Sequence, residues 1–542
     1  MDRVPIYLFV TGGVISSLGK GLTASSIGLL LERQGYPVAM IKLDPYLNID
    51  PGTMSPYQHG EVYVTTDGVE TDLDLGHYHR FTNALLTKNS SATAGQIYEA
   101  VLRKERHGEY LGSTVQVIPH VTDEIKRRLR ACAAQLKGFG FVIVEIGGTV
   151  GDIESLPFLE AIRQFRCEQT NPCLNLHVTY VPYIKSAGET KTKPTQHSVQ
   201  ALRQIGIFPD LILCRTETTV GEEERAKIQL FCNVNENSVF DLPDVDLIYD
   251  VPLVLHRQNV EAAILGRVGL KEKPVDLSDW EQATRVTKPH PPEVRIGVVG
   301  KYIKHQDAYK SLYEALYHAS CKVGCKLKIE KLDPETVDHD GFPKAFRGLD
   351  GYLIPGGFGT RGWEGKIEAA KYCREDKVPY FGICLGMQIL AVEFARDVLG
   401  LKKANSSEMD LDSPDPVISL LSEQKQVKDL GGTMRLGVYP CHLAKPSKAY
   451  HAYGLEDVGE RHRHRYEFNN LYKADFEKNG ARISGTSPDG SLCEIMEIAD
   501  HPWMVGVQFH PEFASKPIAP HPLFTAFIQA SLNHSKARGQ KA

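Results

Sequence analysis

Two short stretches carry the residue types that covalent and phosphoryl chemistry need. In the first, the apolar run Val378–Phe381 leads into Gly382-Ile-Cys384-Leu-Gly386-Met-Gln388, and Met387–Arg396 is apolar at helical spacing. Glycines two residues either side of the cysteine permit a sharp strand-to-helix turn with the thiol at its apex. A thiol there sits at a helix N-terminus, whose partial positive charge favours thiolate. Such a nucleophile needs a base, and the base needs an orienting group. Gln508-Phe509-His510-Pro511-Glu512 closes another apolar run and supplies both, with His510 to take the proton and Glu512 to hold the imidazole. A lone cysteine is more often a buried apolar residue. With 20 histidines, a chance His near a Glu carries little weight. The flanking glycines favour the nucleophile.

The second stretch is Thr11-Gly12-Gly13-Val-Ile-Ser16-Ser17-Leu18-Gly19-Lys20-Gly21, between the apolar run Ile6–Val10 and a helical pattern over Thr23–Gln34. Backbone N–H groups, a helix N-terminus and a lysine are what a phosphate-cradling loop uses. The standard pattern has Ser or Thr after the lysine, where this chain has Gly21, and its first glycine is displaced by one position. Glu145 closes the apolar run Phe141–Ile146, where a charge requires a partner. Glu70-Thr-Asp72-Leu-Asp74-Leu offers alternating carboxylates, which the pattern alone assigns to a polar strand face. In Arg461-His-Arg-His-Arg465 alternation puts arginines on one face and histidines on the other. The expectation is a solvated strand edge in which Arg465 alone is functional.

The elements that position these residues read as two α/β series. Ile6–Val10, Val38–Leu43, Phe141–Ile146, Leu174–Val181 and Leu211–Cys214 are continuous apolar strands separated by helical patterns, which predicts a parallel sheet covered on both faces. Lys288-Pro-His-Pro-Pro292 cannot continue a helix or a central strand. A second series follows at Val294–Gly300, Leu353–Pro355, Tyr380–Ile383 and Val505–Phe509. The predicted domains are 1–270 and 293–535, with a linker at 271–292 and a frayed polar tail at 536–542. A chain of 542 residues exceeds the about 250–300 that one core supports.

Net charge is 62 − 67 = −5, which argues against a nucleic-acid binder. The 11 cysteines form no C-x-x-C pair or zinc pattern, as suits a reducing compartment. The N-terminal apolar run is too short for a signal core or a membrane span. The expectation is a cytoplasmic protein with no membrane partner.

The Gly-Ile-Cys-Leu-Gly-Met-Gln and Gln-Phe-His-Pro-Glu motifs, in the order Cys, His, Glu, resemble the class I glutamine amidotransferases. That resemblance implies an oxyanion loop at Pro355–Gly359, with N–H groups near Gly357 and Leu385 stabilising the tetrahedral intermediate. It also implies glutamine contacts at Gly386, Met387, Gln388, Glu408 and Arg465. The phosphate loop resembles the variant loop of dethiobiotin-synthetase-like amido-ligases. Lys42–Tyr46, Asp50–Glu61, Glu145–Glu154, Lys191–His197, Glu224–Lys227 and Asp307–Lys310 resemble signatures of the CTP synthase family. This likeness spans residues 1–535. Departures lie in the linker, in Ser406–Lys428 and at both ends.

The family resemblance implies that ATP phosphorylates O4 of UTP and that ammonia from glutamine displaces the phosphate to give CTP. Lys20 and Lys42 would then be catalytic, with ATP contacts at Ser17, Leu18, Gly19, Lys20, Gly21, Leu22, Asp74 and Val245. Asp74 and Glu145 would hold Mg²⁺. UTP, and in part the inhibitory product CTP, would meet Ser16, Asp152, Ile153, Glu154, Lys191, Thr192, Lys193, Pro194, Thr195, Gln196 and Lys227. GTP would be an allosteric activator with Lys310, Phe358 and Arg361 as contacts. Ammonia would pass near Pro56, His59 and Val62, and the assembly would be a homotetramer. Three other readings compete. A cofactor-side-chain amidase activates carboxylates, which the Lys-Thr-Lys-Pro-Thr-Gln-His block argues against. A filament protein descended from the enzyme would be expected to have lost Cys384, His510 or Lys20. A plain glutaminase would not need the ATP and metal positions.

Overall fold

Seven strands in the N-terminal half, among them the five apolar stretches, pair into one sheet, all parallel. This computed structural model describes residues 4–169, 172–336, 346–420 and 433–540. The strands are β1 (Ile6–Gly12), β2 (Val38–Asp44), β3 (Ser91–Thr93), β4 (Phe141–Ile146), β5 (Cys173–Tyr180), β6 (Leu211–Thr216) and β7 (Val239–Pro243). Their order is β7-β6-β5-β1-β4-β2-β3. Every residue of β1, β2 and β4 is buried, as strands covered on both faces must be. In such a sheet ligands bind at the carboxyl ends of the strands, where the order reverses. The phosphate loop leaves the end of β1, next to β4, whose penultimate residue is Glu145. The helix after the loop, α1 (Lys20–Arg33), starts three residues earlier than predicted, because Gly19 takes a left-handed φ of 85° at its N-cap.

The chain divides into two compact units, Met1–Ile49 with Asp74–Leu277, and Asp50–Leu73 with Ser278–Ala542. This differs from the predicted boundaries in two places. Residues 50–73, expected in the first domain, are held in the second unit by buried contacts. The Glu61 carboxylate accepts from Ser311 N at 2.7 Å, in the first turn of the helix that starts at Lys310. Within the expected linker, Ser278–Ala283 is helical and its Trp280 is 1% exposed, so this stretch is packed structure.

The first unit also uses α2 (Asp74–Phe81) and α3 (Lys193–Gln204). Asp74 opens a helix, where alternation had predicted a strand. In the second unit, α4 (Lys310–Val323), α5 (Leu385–Asp397) and α6 (Pro522–Gly539) flank a nine-stranded sheet. Its strands are β8 (Glu293–Val299), β9 (Lys326–Leu332), β10 (Gly351–Ile354), β11 (Tyr380–Ile383), β12 (Arg435–Leu443), β13 (Asp457–His464), β14 (Ala481–Thr486), β15 (Cys493–Ile498) and β16 (Met504–Val507). The order is β9-β8-β10-β11-β16-β15-β14-β12-β13. The first five are parallel, and the last four add antiparallel pairings that the sequence reading did not anticipate. The tail is not frayed as expected. Helix α6 runs to Gly539, and Arg538 Nη2 pairs with the buried Asp350 carboxylate at 2.7 Å. Residues 541 and 542 of the tail, and 421–428 of the variable stretch, lie outside the described residues.

Candidate active site

Cys384 stands between β11 and α5 with φ 52° and ψ −101°, a conformation that costs a non-glycine residue roughly 1–3 kcal/mol. The two glycines of the motif make the turn possible by close approach. A Cβ at Gly382 would lie 2.5 Å from Gly386 O, and one at Gly386 would lie 2.2 Å from Ile354 O. Backbone pairing with β16 fixes the apex, since Cys384 N donates to Val507 O at 2.7 Å. His510 follows the end of the same neighbouring strand. His510 Nδ1 lies 2.8 Å from Glu512 Oε1, and the ring stacks on Phe513 at 5.3 Å between centroids. A Cβ at Gly356 would stand 2.7 Å from His510 Cε1 and 3.5 Å from Cys384 Cβ, so imidazole and thiol converge there.

Burial disfavours charge on His510, but its electrostatic and hydrogen-bond interactions with Glu512 and Cys384 outweigh it and raise its pKa. The imidazole therefore holds a proton readily, which suits the acid–base role expected of it from the sequence. A cavity of about 210 Å³ opens on this group, lined by Cys384, His510, Glu512 and Gly357 together with Pro56 and Val62. His59 does not line it. Leu385 is the first residue of α5, so its amide is among those a helix leaves unpaired. Glu408 accepts from Gly359 N at 2.8 Å, and burial raises its pKa. Arg465 donates to Thr433 Oγ1 at 2.8 Å. Among the described residues, Glu408 and Arg465 do not line the cavity. Gln388 donates to Tyr466 O at 3.3 Å, and Met387 is fully buried.

Arg461–Arg465 departs from the solvated edge expected of it. Arg461, His462 and His464 are buried. Alternation does hold. The arginines face Tyr63, Glu70 and Phe358, while the histidines face Glu467 and Glu494. Strand periodicity could show that division but not its burial.

In the first unit the phosphate loop carries left-handed residues at Val14 and Ser17 besides Gly19. Ser16 and Ser17 are exposed, whereas Leu18 is buried and anchors the loop. Lys20 Nζ donates to Gly148 O at 2.8 Å. Lys42 pairs with the Asp74 carboxylate, and Tyr78 OH donates to Glu145. Burial, then the neighbouring Asp74 charge, raises the pKa of Glu145, while burial lowers that of Lys20.

The departure at Gly21 now has a physical reason. A Cβ there would sit 2.4 Å from Asp74 Oδ1 and 3.1 Å from Glu145 Oε2. The two carboxylates occupy the space that a Ser or Thr would fill in the standard loop. Among the described residues no group of three or more His, Cys, Asp or Glu could hold a metal. Mg²⁺ needs one or two carboxylates when phosphate oxygens complete its shell, so the pair Asp74 and Glu145 fits it. Gly21→Ser, which restores the usual hydroxyl, is therefore expected to lower the ATP-dependent synthesis that the family resemblance implies by about tenfold or more, measured with ammonium as nitrogen source. Glutamine hydrolysis by the same protein should be unaffected, and parallel assays of the two activities check this.

The remaining predicted contacts are only partly brought together. Asp152, Lys193 and Pro194 line a cavity of about 560 Å³ with Val14 of the loop. Ile153 and Glu154 line a different, apolar one of about 720 Å³. Lys191 pairs with Glu189 at 2.6 Å, and Gln196 bonds Thr192. Thr195 is buried and bonds Tyr180 O, a structural role. Lys227 is exposed and Val245 half-buried, and neither lines the cavity beside the loop. Arg361 Nη2 donates to Tyr57 OH at 2.6 Å and lies over Tyr302, which shares the Cys384 cavity with Phe358. Lys310 pairs instead with Glu314 one turn along α4. Sequence reasoning missed Tyr78, Arg461 and Arg463. No local pattern marks Tyr78.

Comparison with known proteins accounts for both halves. Residues 6–270 match the family model described as CTP synthase N-terminus, and residues 304–530 match glutamine amidotransferase class-I. The glutaminase domain of Trypanosoma brucei CTPS, solved with bound acivicin, is 36% identical with a TM-score of 0.42, covering 44% of this chain and 94% of that one. The CTP synthase of Protochlamydia amoebophila is 60% identical over 538 residues, covering 99% of each chain. That of Chlamydia caviae is 60% identical over 531 residues, covering 98% of each. Among the described residues no helix is long and apolar enough to cross a membrane. A match of this identity along nearly the whole length, over both the phosphate loop and the thiol elbow, makes the chain a member of the CTP synthase family, a glutamine-dependent ligase of pyrimidine nucleotide biosynthesis.

Proposed function

We propose that this chain forms CTP through UTP phosphorylated at O4, with ammonia made at Cys384. Cys384 Sγ attacks the side-chain amide carbon of glutamine. His510 gives its proton to the leaving nitrogen, and water then hydrolyses the thioester to glutamate. The N–H groups of Gly357 and Leu385 serve the developing oxyanion, with Gly386, Met387, Gln388, Glu408 and Arg465 at the glutamine site.

In the first unit O4 of UTP attacks the γ-phosphorus of ATP and ADP leaves. Ammonia then adds at C4, and phosphate departs with the O4 atom. Lys20 and Lys42 offset charge on the transferring group. Asp74 and Glu145 would hold Mg²⁺, which when bound would neutralise phosphate charge. The observation that carries this reading is the cluster of two lysines and two carboxylates around Gly21 at the end of β1 and β4. UTP and inhibitory CTP are assigned to the loop cavity with Asp152 and Lys193, and GTP activation to the Phe358–Arg361 region. The apolar cavity with Leu47 (72% exposed) and Ile153 (81% exposed) supports assembly of copies into the expected homotetramer. The protein is assigned to the cytoplasm.

The test supplies UTP labelled with ¹⁸O at position 4, with ATP, Mg²⁺ and either glutamine or ammonium. The expected result is CTP from both nitrogen sources, with the label in the released phosphate. Label appearing in water instead of phosphate would refute the phosphorylated intermediate.

A further inference from the structure

We propose that Glu70 and Tyr63 are positioning residues for the glutaminase, holding its nucleophile and base through the arginines of β13. The proposal rests on the reading of Cys384 and His510 given above. Both arginines work at two ends. At the backbone end, Arg461 O accepts from His510 N at 2.7 Å, and Arg463 O accepts from Cys384 Sγ at 3.8 Å. At the side-chain end, Arg463 Nε donates to Glu70 Oε1 at 2.6 Å and Nη2 donates to Gly52 O at 3.3 Å. Arg461 donates to Tyr63 OH and, at 3.2 Å, to Val64 O. One residue thus separates each catalytic contact from a contact to the 50–73 segment.

Further contacts tie the same parts together. Tyr63 OH donates to Phe513 O at 3.4 Å, and Phe513 is the ring on which His510 stacks. The Arg463 guanidinium lies 5.2 Å over Phe358, beside Gly357. The segment itself is fastened by its backbone, since Val438 N donates to Thr66 O at 3.1 Å. Glu70 and Tyr63 are 4% and 1% exposed, so their partners face little competition from water. Glu70 precedes by only four residues Asp74, the carboxylate paired with Lys42.

The test uses the full-length enzyme with Glu70→Gln, which keeps volume and removes charge, and Tyr63→Phe, which removes one oxygen. Misplacing a nucleophile by a fraction of an ångström lowers the rate constant more than it changes binding, so glutaminase kcat should fall about tenfold for Glu70→Gln. KM for glutamine and ammonia-dependent CTP formation should both stay within about twofold. Tyr63→Phe should shift the same quantities in the same direction. Glu70→Gln added to Arg463→Met should cost nothing beyond Arg463→Met alone, because the two act as one unit. Unchanged glutaminase kcat in both single variants, additive losses in the double variant, or equal loss of both activities would overturn the proposal. Cys384→Ala runs alongside. Retained glutamine hydrolysis there would overturn the site reading itself, a failure distinct from any in the Glu70 series.

Discussion

Cys384→Ala is expected to abolish CTP formation from glutamine, by on the order of 10⁴-fold or more, because removing the nucleophile leaves only what the oxyanion donors and binding provide. CTP formation from ammonium should remain within about twofold, since the thiol contributes nothing to phosphoryl transfer. The protein should fold. Alanine inherits the same positive φ and the same packing, and loses the weak sulfur contacts with Gln508 and Arg463 and the interaction with His510. One side effect is specific to this geometry. Interaction with Cys384 is one of the contributions that raise the His510 pKa, so its removal lowers that value. NMR titration of the His510 ring reports the change. A folded variant that loses both activities would mean that a single site does both steps.

The elbow was legible in the sequence because its constraints are local. G-x-C-x-G encodes two close backbone approaches, at Gly382 and Gly386, that no Cβ survives. The phosphate loop was legible for the same reason, and even its irregularity at Gly21 is explained once Asp74 and Glu145 are placed. The fully buried strands β1, β2 and β4 were equally plain, since a sheet covered on both faces writes continuous apolar runs. Strands at the antiparallel edge were not. β12 mixes exposed, half-buried and buried residues without an apolar run to announce it.

Other features depend on partners far away in the chain. Tyr63 meets Arg461 across 398 positions, and Glu61 meets Ser311 across 250, so no short window shows where residues 50–73 belong. The same distance hid the burial of Arg461, His462 and His464. Alternation assigned two faces, but only the fold supplies Glu70 to one and Glu494 to the other. Asp74 was misread for a related reason. Charges at every second position suggest a strand, and the helix that begins there is set by tertiary contacts with Lys42.

Lys20→Ala is expected to remove CTP formation from either nitrogen source, by on the order of 10³-fold, the scale on which a fixed cation stabilises transferring phosphoryl charge. Lys20 is held in one place by its contacts. Its stem crosses Gly12, where a Cβ would lie 2.6 Å from Lys20 Cδ, and its ammonium is fixed on Gly148 O. Burial lowers its pKa, an arrangement that favours a negatively charged visitor over water. Lys42→Ala differs in mechanism, because Lys42 is already paired. Its loss leaves Asp74 and Glu145 facing each other with less opposing charge, which raises the Glu145 pKa further. The two variants therefore separate in their Mg²⁺ dependence. Lys20→Ala should be slow at every concentration, whereas raising Mg²⁺ should recover part of the Lys42→Ala loss by supplying the missing positive charge. Glutamine hydrolysis measured without nucleotides should persist in both. A Lys20→Ala enzyme with a near-normal ammonia-dependent rate would remove this lysine from phosphoryl transfer and leave its contact to Gly148 as a purely structural tie.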